Sequence, residues 1–390
     1  MLIHTVRPQD TIFKIAREHS TSPMKIIENN SLENPDRLTV GEKLLILTPT
    51  RTYTVRGGDT LGRIADRFGV SVDSIRKNNP SLCGTDKIYP GQLLALKYDC
   101  PRYGVAGVNG YLTRGVDMNR LSYVLPHISH LTVPAFKWNG ERLDPIMNTD
   151  TVVARAKEEN VLPLMRIYDA TDSLFGRDKL LDKAILTAKE KGFAGVTLAA
   201  YPHMKKLPAE HGEMLMNLRR RAMEEDLLIF SEVDGNSAIP DIGDYADGYA
   251  LMYERVNQKN IPNMGLGEET LISKTSEIFE PSKTYMEIPS SGYMGDESVQ
   301  ISDIYKLAER SGRNIEYDTD LGICWFDYTK YKAGRKATNE IIWESLESIK
   351  AKLDLVGELG LMGITVDIGQ VPTEYLMMYE TMFRPVPTYR

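Results

Sequence analysis

The sequence predicts an α/β protein in which a TIM-type (β/α)₈ barrel follows two small repeated modules. Two observations support this fold class. After Pro101 the chain alternates amphipathic helices with short apolar strands, a pattern typical of a parallel sheet wrapped by helices. Before that point, one segment returns in tandem with an offset of 49 residues, from His4 to Tyr53. We therefore expect modules at 1–49 and 50–98 and a barrel at 101–390.

Each module is predicted to contain a strand, two helices and a second strand, in that order. A Thr-Val pair opens the first strand, and an Asp-Thr pair at 10–11 and again at 59–60 caps the first helix. Apolar residues at helical spacing follow the cap in both copies. The second helix ends at an Asn-Asn pair, and a Gly-containing turn then leads into a strand that can pair with the first.

The repeat resembles the LysM domain in its Thr-Val-x-x-x-Asp-Thr opening, its Asn-Asn pair and its hydrophobic-x-x-Gly-x-x-Leu close. The resemblance implies binding of N-acetylglucosamine polymers, meaning peptidoglycan or chitin, in a groove between the loop after the first strand and the loop after the second helix. An alternative is that the repeat is only a folding spacer. Carried over to this chain, the groove comprises Asp10, Thr11, Ile12 and Leu38 in the first module, and Gly58, Asp59, Thr60, Leu61, Pro80, Ser81, Leu82 and Ile88 in the second.

Eight apolar segments after Pro101 are predicted to be the barrel strands, which is the number that closes such a barrel. Helices at 151–158, 180–191, 214–225 and 346–359 precede four of them. Residues 313–343 are rich in aromatic and β-branched side chains and predict a small insertion between the last two strands. The predicted strands are 104–111, 130–136, 162–168, 195–201, 227–233, 248–253, 285–289 and 363–368.

The barrel resembles glycoside hydrolase family 18, in the branch where two LysM modules precede a domain that acts on the spore cortex. The segments 108–111, 125–132, 191–193, 288–293 and 359–364 carry this resemblance through their order and spacing. It implies substrate-assisted hydrolysis, in which a glutamic acid on the fourth strand protonates the glycosidic oxygen. An aspartate two residues before that glutamic acid orients the acetamide of the sugar.

The acidic motif of that family falls on residues 194–201, where all four of its acids are replaced. Ala194, Thr197 and Ala199 stand at the three Asp positions, and Tyr201 stands at the Glu position. A phenol, with an ordinary pKa of about 10, is a far weaker proton donor than a tuned carboxylic acid. The sequence therefore predicts a catalytically inactive barrel that binds a glycan or a protein or serves as a scaffold.

The alternative is an active glycosidase that uses carboxylates at other strand ends. Glu232, Glu254 and Asp367 are the candidate relocated acids, because barrels place their active sites at the carboxyl ends of the strands. Tyr201, Tyr253 and Glu254 are the residues expected in the barrel pocket. The simpler alternative is that these acids are charges at the rim of the barrel that are solvated or hydrogen-bonded to neighbouring groups.

Composition and charge limit the classes of binding partner and the cellular location that we expect. The net charge is −7 and no dense basic stripe is present, so nucleic acid is not an expected partner. No apolar run approaches the length of a membrane span, and no export signal is visible at the first residues. The resemblance implies a spore envelope or cell-wall location, with a spore coat or cell-wall protein as a further partner, and the cytoplasm is the alternative.

Neither a cofactor nor a metal is predicted. The three cysteines, Cys83, Cys100 and Cys324, are scattered and lack metal-ligand spacing. The histidines His127, His130, His203 and His211 show no such spacing with each other.

Overall fold

The computed structural model describes residues 1–98, 103–113, 117–169, 177–199, 210–234, 245–252, 279–295, 297–332 and 335–385. All structural statements below concern these residues.

The two modules have the predicted order of strand, helix, helix and strand. The first contains β1 (Leu2–Thr5), α1 (Ile12–Glu18), α2 (Pro23–Asn29) and β2 (Lys43–Ile46). The second contains β3 (Arg51–Thr54), α3 (Leu61–Phe68), α4 (Val72–Lys77) and β4 (Leu93–Lys97). In each module the two strands pair antiparallel. Thr11 and Thr60 cap their helices by accepting hydrogen bonds from the amides of residues three positions later.

The second residue of each Asn-Asn pair explains why the motif recurs. Asn30 donates to Ile26 O and Leu45 O and accepts from Leu45 N, at 2.7–2.9 Å. Asn79 makes the equivalent bonds to Ile75 and Ala95 at 2.6–2.8 Å. A buried amide that offers two donors and an acceptor thus ties the end of the second helix to the last strand.

Eight parallel strands close into the predicted barrel. Each strand pairs with the next along the chain, and the last pairs with the first. Short strands β7 (Leu143–Pro145) and β19 (Arg384–Pro385) pair with the second and the first barrel strand, respectively. The barrel strands are β5 (Val105–Tyr111), β6 (His130–Trp138), β8 (Leu162–Asp169), β9 (Gly195–Leu198), β10 (Leu228–Asp234), β11 (Gly248–Met252), β12 (Thr284–Glu287) and β18 (Gly363–Asp367).

Helices surround the barrel and bury its outer face. They begin within a few residues of the predicted positions, as element ends commonly do. Their bounds are α5 (Met118–Val124), α6 (Asp150–Glu158), α7 (Arg177–Glu190), α8 (Glu210–Met223), α10 (Leu346–Glu358) and α11 (Thr373–Met382).

A five-stranded antiparallel sheet lies between the seventh and eighth barrel strands. Its order is β14-β13-β17-β16-β15, and helix α9 (Ile301–Ser311) packs against it. The predicted insertion at 313–343 contains three of its strands, and the same sheet also takes in residues from Ser291 onward. The strands are β13 (Ser291–Met294), β14 (Glu297–Gln300), β15 (Glu316–Asp318), β16 (Ile323–Lys332) and β17 (Arg335–Glu344).

The modules are docked on the barrel domain by polar contacts along their length. Lys43 Nζ donates to Glu347 Oε1 at 2.8 Å, and Lys77 Nζ lies 3.2 Å from Glu380 Oε1. The Ile315 amide donates to Val40 O at 2.8 Å. The modules and the barrel therefore share an interface.

Candidate functional site

The mouth of the barrel, at the carboxyl ends of its strands, contains a group of polar side chains. Tyr111 on β5 donates to Glu287 Oε1 on β12 at 2.7 Å. Burial, and then the negative charges of Glu287 and Asp367, raise the pKa of Tyr111 well above its usual value. Tyr111 is therefore a neutral hydrogen-bond donor in this group.

Glu232, one of the candidate relocated acids, is buried and forms an ion pair with Arg166 on β8. A neighbouring guanidinium stabilises a carboxylate in its charged form. Glu232 thus has a cationic partner at the barrel mouth.

Asp367, the second candidate acid, holds the turn after β18. Its Oδ1 accepts from the Gly369 amide at 2.8 Å, and its Oδ2 accepts from Gln370 Nε2 at 3.2 Å. Both oxygens thus take part in local hydrogen bonds at the rim. The third candidate, Glu254, lies outside the described residues, as do Tyr201 and Tyr253 of the predicted barrel pocket.

Three of the four replaced motif positions lie on or next to the fourth barrel strand, β9. Ala194 immediately precedes β9, and Ala199 immediately follows it. Thr197 lies on β9, is 1% exposed, and has a buried hydroxyl with no hydrogen-bond partner among the described residues. None of these three side chains can donate a proton as an acid or orient an acetamide as a carboxylate.

The opposite end of the barrel is filled by apolar side chains. Leu164, Phe230 and Tyr285 form a buried cluster there. His130 on β6 lies 5.1 Å from the ring of Phe230, and burial lowers the pKa of this histidine to about 4. The barrel is thus a packed core at this end, as in other proteins of this architecture.

In the first module, the predicted groove residues divide into exposed and buried ones. Thr11 is exposed, and Leu38 is half-buried against the module core. Asp10 accepts from the Arg7 amide at 2.8 Å and lies 3.0 Å from His4 Nε2. Burial opposes ionisation of Asp10, but the bonds from Arg7 and His4 outweigh it and hold the pKa of this carboxyl below its usual value. The Ile12 side chain is 3% exposed and is not available to a sugar.

In the second module, Gly58 and Thr60 are exposed, and Asp59 accepts from Tyr53 Oη at 2.7 Å. Ser81 is exposed and hydrogen-bonds to Glu28 of the first module. Ile88 is half-buried against the core. The remaining predicted groove residues, Leu61, Pro80 and Leu82, are buried. Like Ile12, these side chains pack beneath the loops, so only their backbone can face a sugar, and their part in glycan binding stays a prediction.

Two exposed aromatic residues beside these loops were not predicted. Phe13 is 74% exposed and follows Ile12, while Tyr89 is 64% exposed and follows Ile88. Single exposed apolar side chains are common on protein surfaces, so these two rings are candidates for glycan contact because they adjoin the predicted groove loops. The signal was present in the sequence, because Phe13 falls on the polar side of an otherwise amphipathic helix.

The second loop of the first module faces the barrel domain across a cleft of about 470 Å³. Ser31 Oγ donates to Thr373 Oγ1 at 2.6 Å, and Glu33 lies 2.9 Å from Lys306 on α9. The turn after β18 and the start of α11 complete the lining. One wall of the first predicted groove is thereby shared with the barrel domain.

Two buried carboxyls meet in this cleft. Burial raises the pKa of Glu42 to about 7, and the nearby charge of Glu309 adds to this effect. Burial likewise raises the pKa of Glu374 to about 7, with a further contribution from Glu42 and an opposing one from Arg120. The interface between the first module and the barrel therefore holds two acids that titrate near neutral pH.

Residues 4–47 and 53–97 match the family model of the LysM domain. The first quarter of the chain is a pair of LysM domains. This match confirms the predicted resemblance of the repeat. LysM domains are carbohydrate-binding modules.

Relatives match the LysM pair alone or the whole chain. The cell wall-binding protein YocH of Bacillus subtilis is 37% identical over 98 residues, which cover 24% of this chain and 33% of YocH. This chain thus spans about a third of YocH. The YdhD protein of Bacillus subtilis is 23% identical over 425 residues, covering 97% of this chain and 98% of YdhD.

Solved structures share the architecture of the whole chain and of the barrel. The spore cortex-lytic enzyme SleL of Bacillus megaterium has a TM-score of 0.73 at 22% identity, with 98% of both chains covered. A family 18 chitinase of Cycas revoluta matches 71% of this chain and 99% of its own, at 15% identity and a TM-score of 0.55. At these identities the likeness establishes the fold: a family 18-like barrel preceded by two LysM domains.

Among the described residues, no helix combines the length and the apolar character needed to cross a membrane.

Proposed function

We propose that the chain binds an N-acetylglucosamine-containing glycan through its LysM domains, at the cell wall or spore envelope. The observation that carries this proposal is the tandem LysM match over 4–47 and 53–97. YocH is named for cell-wall binding and SleL for its action on the spore cortex, which supports peptidoglycan or cortex as the ligand, with chitin as the chemically related alternative. A spore coat or cell-wall protein is the partner proposed for the barrel.

We further propose that the barrel does not hydrolyse this glycan. Three motif positions on and around β9 carry Ala194, Thr197 and Ala199, none of which has a carboxyl group. Acid catalysis alone contributes about 10² to 10⁴ in rate. The ion pair of Glu232 with Arg166 supports this proposal, because a carboxylate held beside a guanidinium is a poor proton donor.

Retention of the full chain on insoluble glycans tests the binding proposal. We expect the protein to sediment with purified peptidoglycan, spore cortex or chitin and to be released by soluble N-acetylglucosamine oligomers. Cellulose, which lacks the acetamide, is the matched control and is expected to retain little protein. Equal retention on cellulose, or no retention on any of the N-acetylated glycans, contradicts the proposal.

An active glycosidase is the second candidate, because Glu232, Glu287 and Asp367 lie together at the mouth where barrels perform catalysis. Incubation with cortex fragments or a chromogenic N-acetylglucosamine oligomer separates the two proposals. No turnover at high protein concentration supports the inactive barrel. Turnover that is lost in Glu254→Gln or Asp367→Asn, while glycan retention is unchanged, replaces it with the glycosidase.

A further inference from the structure

Two histidines and a glutamate converge in the first LysM domain, on elements that do not belong to the barrel. His4 lies on β1, and Glu18 and His19 lie at the end of α1. His4 Nδ1 is 2.9 Å from His19 Nε2, and Glu18 Oε1 is 4.0 Å from the same His19 nitrogen. One ligand atom from each of the three residues falls within 4.8 Å of the other two.

His4 is oriented as metal-binding histidines are. Its Nε2 lies 3.0 Å from Asp10 Oδ2, while Asp10 is itself fixed by the Arg7 amide at 2.8 Å. Histidine ligands almost always donate one ring N–H to a carboxylate or carbonyl, which leaves the other nitrogen free for the metal. With Nε2 donating to Asp10, His4 Nδ1 presents its lone pair toward His19 and Glu18.

The second LysM domain provides an internal comparison at the same positions. There Tyr53, Arg67 and Phe68 stand where the first domain has His4, Glu18 and His19. Tyr53 donates to Asp59, and its ring lies 5.0 Å from that of Phe68. An aromatic pair thus packs in the second domain at the positions of His4 and His19. The LysM fold therefore does not require metal-ligand side chains at these positions.

Three positions therefore differ together between the two domains, and all three carry metal-ligand types in the first. Packing accounts for the rings at positions 4 and 19, whereas the exposed position 18 carries a carboxylate in the first domain and a guanidinium in the second. Glu18 is half-exposed, whereas His4 is buried and His19 largely so. The cluster therefore opens to solvent on the side of the carboxylate, where an ion could enter.

Two imidazoles and one carboxylate suit Zn²⁺ and its transition-metal neighbours, whereas Mg²⁺ and Ca²⁺ prefer oxygen ligands. Zn–N bonds of about 2.0–2.1 Å at a tetrahedral angle separate two nitrogens by about 3.3 Å, so the His4–His19 pair, hydrogen-bonded at 2.9 Å, must open slightly. The proton of that bond must also leave His19 Nε2, which the Nδ1–H tautomer of His19 allows. We propose that His4, His19 and Glu18 bind one Zn²⁺ ion, with a water in the fourth position. The ion links β1 to the end of α1 and braces the loop that carries Asp10 and Thr11.

Zinc binding to the full chain, freed of metal beforehand, tests this proposal. We expect equilibrium dialysis followed by metal analysis to find one zinc ion per chain, and zinc to raise the melting temperature by mass action on the folded state. The triple variant His4→Tyr, Glu18→Arg, His19→Phe copies the second LysM domain and is expected to fold, as judged by circular dichroism. It should lose the bound zinc and the thermal shift.

Cys83→Ser serves as the control, because Cys83 Sγ lies 3.5 Å from His127 Nε2 and offers another pair of zinc-binding groups. This variant should bind zinc as the parent does. Should the triple variant fail to fold, the single variant His19→Phe and X-ray absorption of the zinc-loaded parent replace it, with two imidazole nitrogens expected around the metal. Absence of bound zinc in the parent, unchanged binding in the folded variant, or a sulfur-containing shell overturns the proposal.

Discussion

Arg166 and Glu232 form a largely buried ion pair that bridges two barrel strands which are not neighbours. Arg166 lies on β8 and Glu232 on β10, and β9 runs between them. Thr197 on β9 is in register with Arg166. The pair therefore spans the strand on which the family motif would place its carboxylates.

Removal of one member of this pair is expected to be costly. Glu232→Gln leaves the Arg166 guanidinium buried without its counter-charge and should lower the free energy of unfolding by about 3–5 kcal/mol. Denaturant titration measures this loss. The exposed pair Lys189–Glu225 is the control, since Glu225→Gln should change the free energy by less than about 1 kcal/mol. Similar small effects at both sites would show that the buried pair is not structural.

The two acids in the cleft predict how stability varies with pH. The pKa values of Glu42 and Glu374 rise from 4.5 to about 7 on folding, so between these values the folded state holds protons that the unfolded state has released. The free energy of unfolding should therefore fall as the pH rises from about 4.5 to 7. Glu374→Gln should raise stability at pH 8 by about 1–3 kcal/mol and change it little at pH 5.

Thermal unfolding of parent and variant at the two pH values measures this difference. Glu33→Gln, at an exposed carboxyl of the loop that faces the same cleft, is the control and should show no such pH-dependent gain. A Glu374→Gln variant whose advantage is the same at pH 5 and pH 8 would contradict the assignment.

Alanine substitutions at Gly41 and Gly91 distinguish the cost of backbone strain from the cost of a clash between domains. Both occupy the turn before the last strand of their LysM domain, with φ of 90° and 88°. A Cβ at Gly41 would lie 1.9 Å from Ile315 O of the barrel domain, whereas one at Gly91 would meet nothing within 4 Å. Both Gly→Ala changes should incur the cost of a left-handed alanine, about 1–2 kcal/mol.

Only Gly41→Ala should also push the first LysM domain away from the barrel. We expect it to lower the free energy of unfolding by clearly more than Gly91→Ala and to increase cleavage in limited proteolysis between the domains. Equal losses in the two variants would mean that the contact at Ile315 adds nothing to stability.

The exposed aromatic residues beside the loops predict where a glycan binds. Phe13→Ala and Tyr89→Ala each remove a large accessible ring, and loss of one such contact should weaken retention on peptidoglycan about tenfold. Met24 is 65% exposed on α2 and is the matched apolar control, for which Met24→Ala should leave binding unchanged. If Met24→Ala weakens retention as much as the aromatic variants do, the effect is one of general surface apolarity and not of these loops.

The sequence predicted the barrel strands well because each is a short apolar run bounded by helices of clear periodicity. Strands and helices of the LysM domains were equally visible, since the repeat showed every signal twice. The groove residues stay a prediction, and the structure adds only which of their side chains are buried. Ile12 and Leu61 belong to the loop motif, but their place in the helical pattern already assigned them to the core, and this assignment takes precedence over the motif.

The contacts between distant segments could not be read from the sequence. Arg166 and Glu232 are 66 residues apart, and neither stands out in composition. His4 and His19 belong to different elements, so no ligand spacing along the chain predicted that they would lie close together. Such pairs depend on register and helix rotation, which local patterns do not specify.

Lys25 shows how the two LysM domains act together. Its ammonium is buried between them and donates to Glu28 and to Asn79, each at 2.6 Å. Swinging one domain away would break a contact between a buried charge and the amide that holds the other domain's helix. The contact thus holds the two predicted grooves at a fixed spacing, so the avidity of a pair that binds through both should depend on the periodicity of the glycan strand and not on the length of a linker.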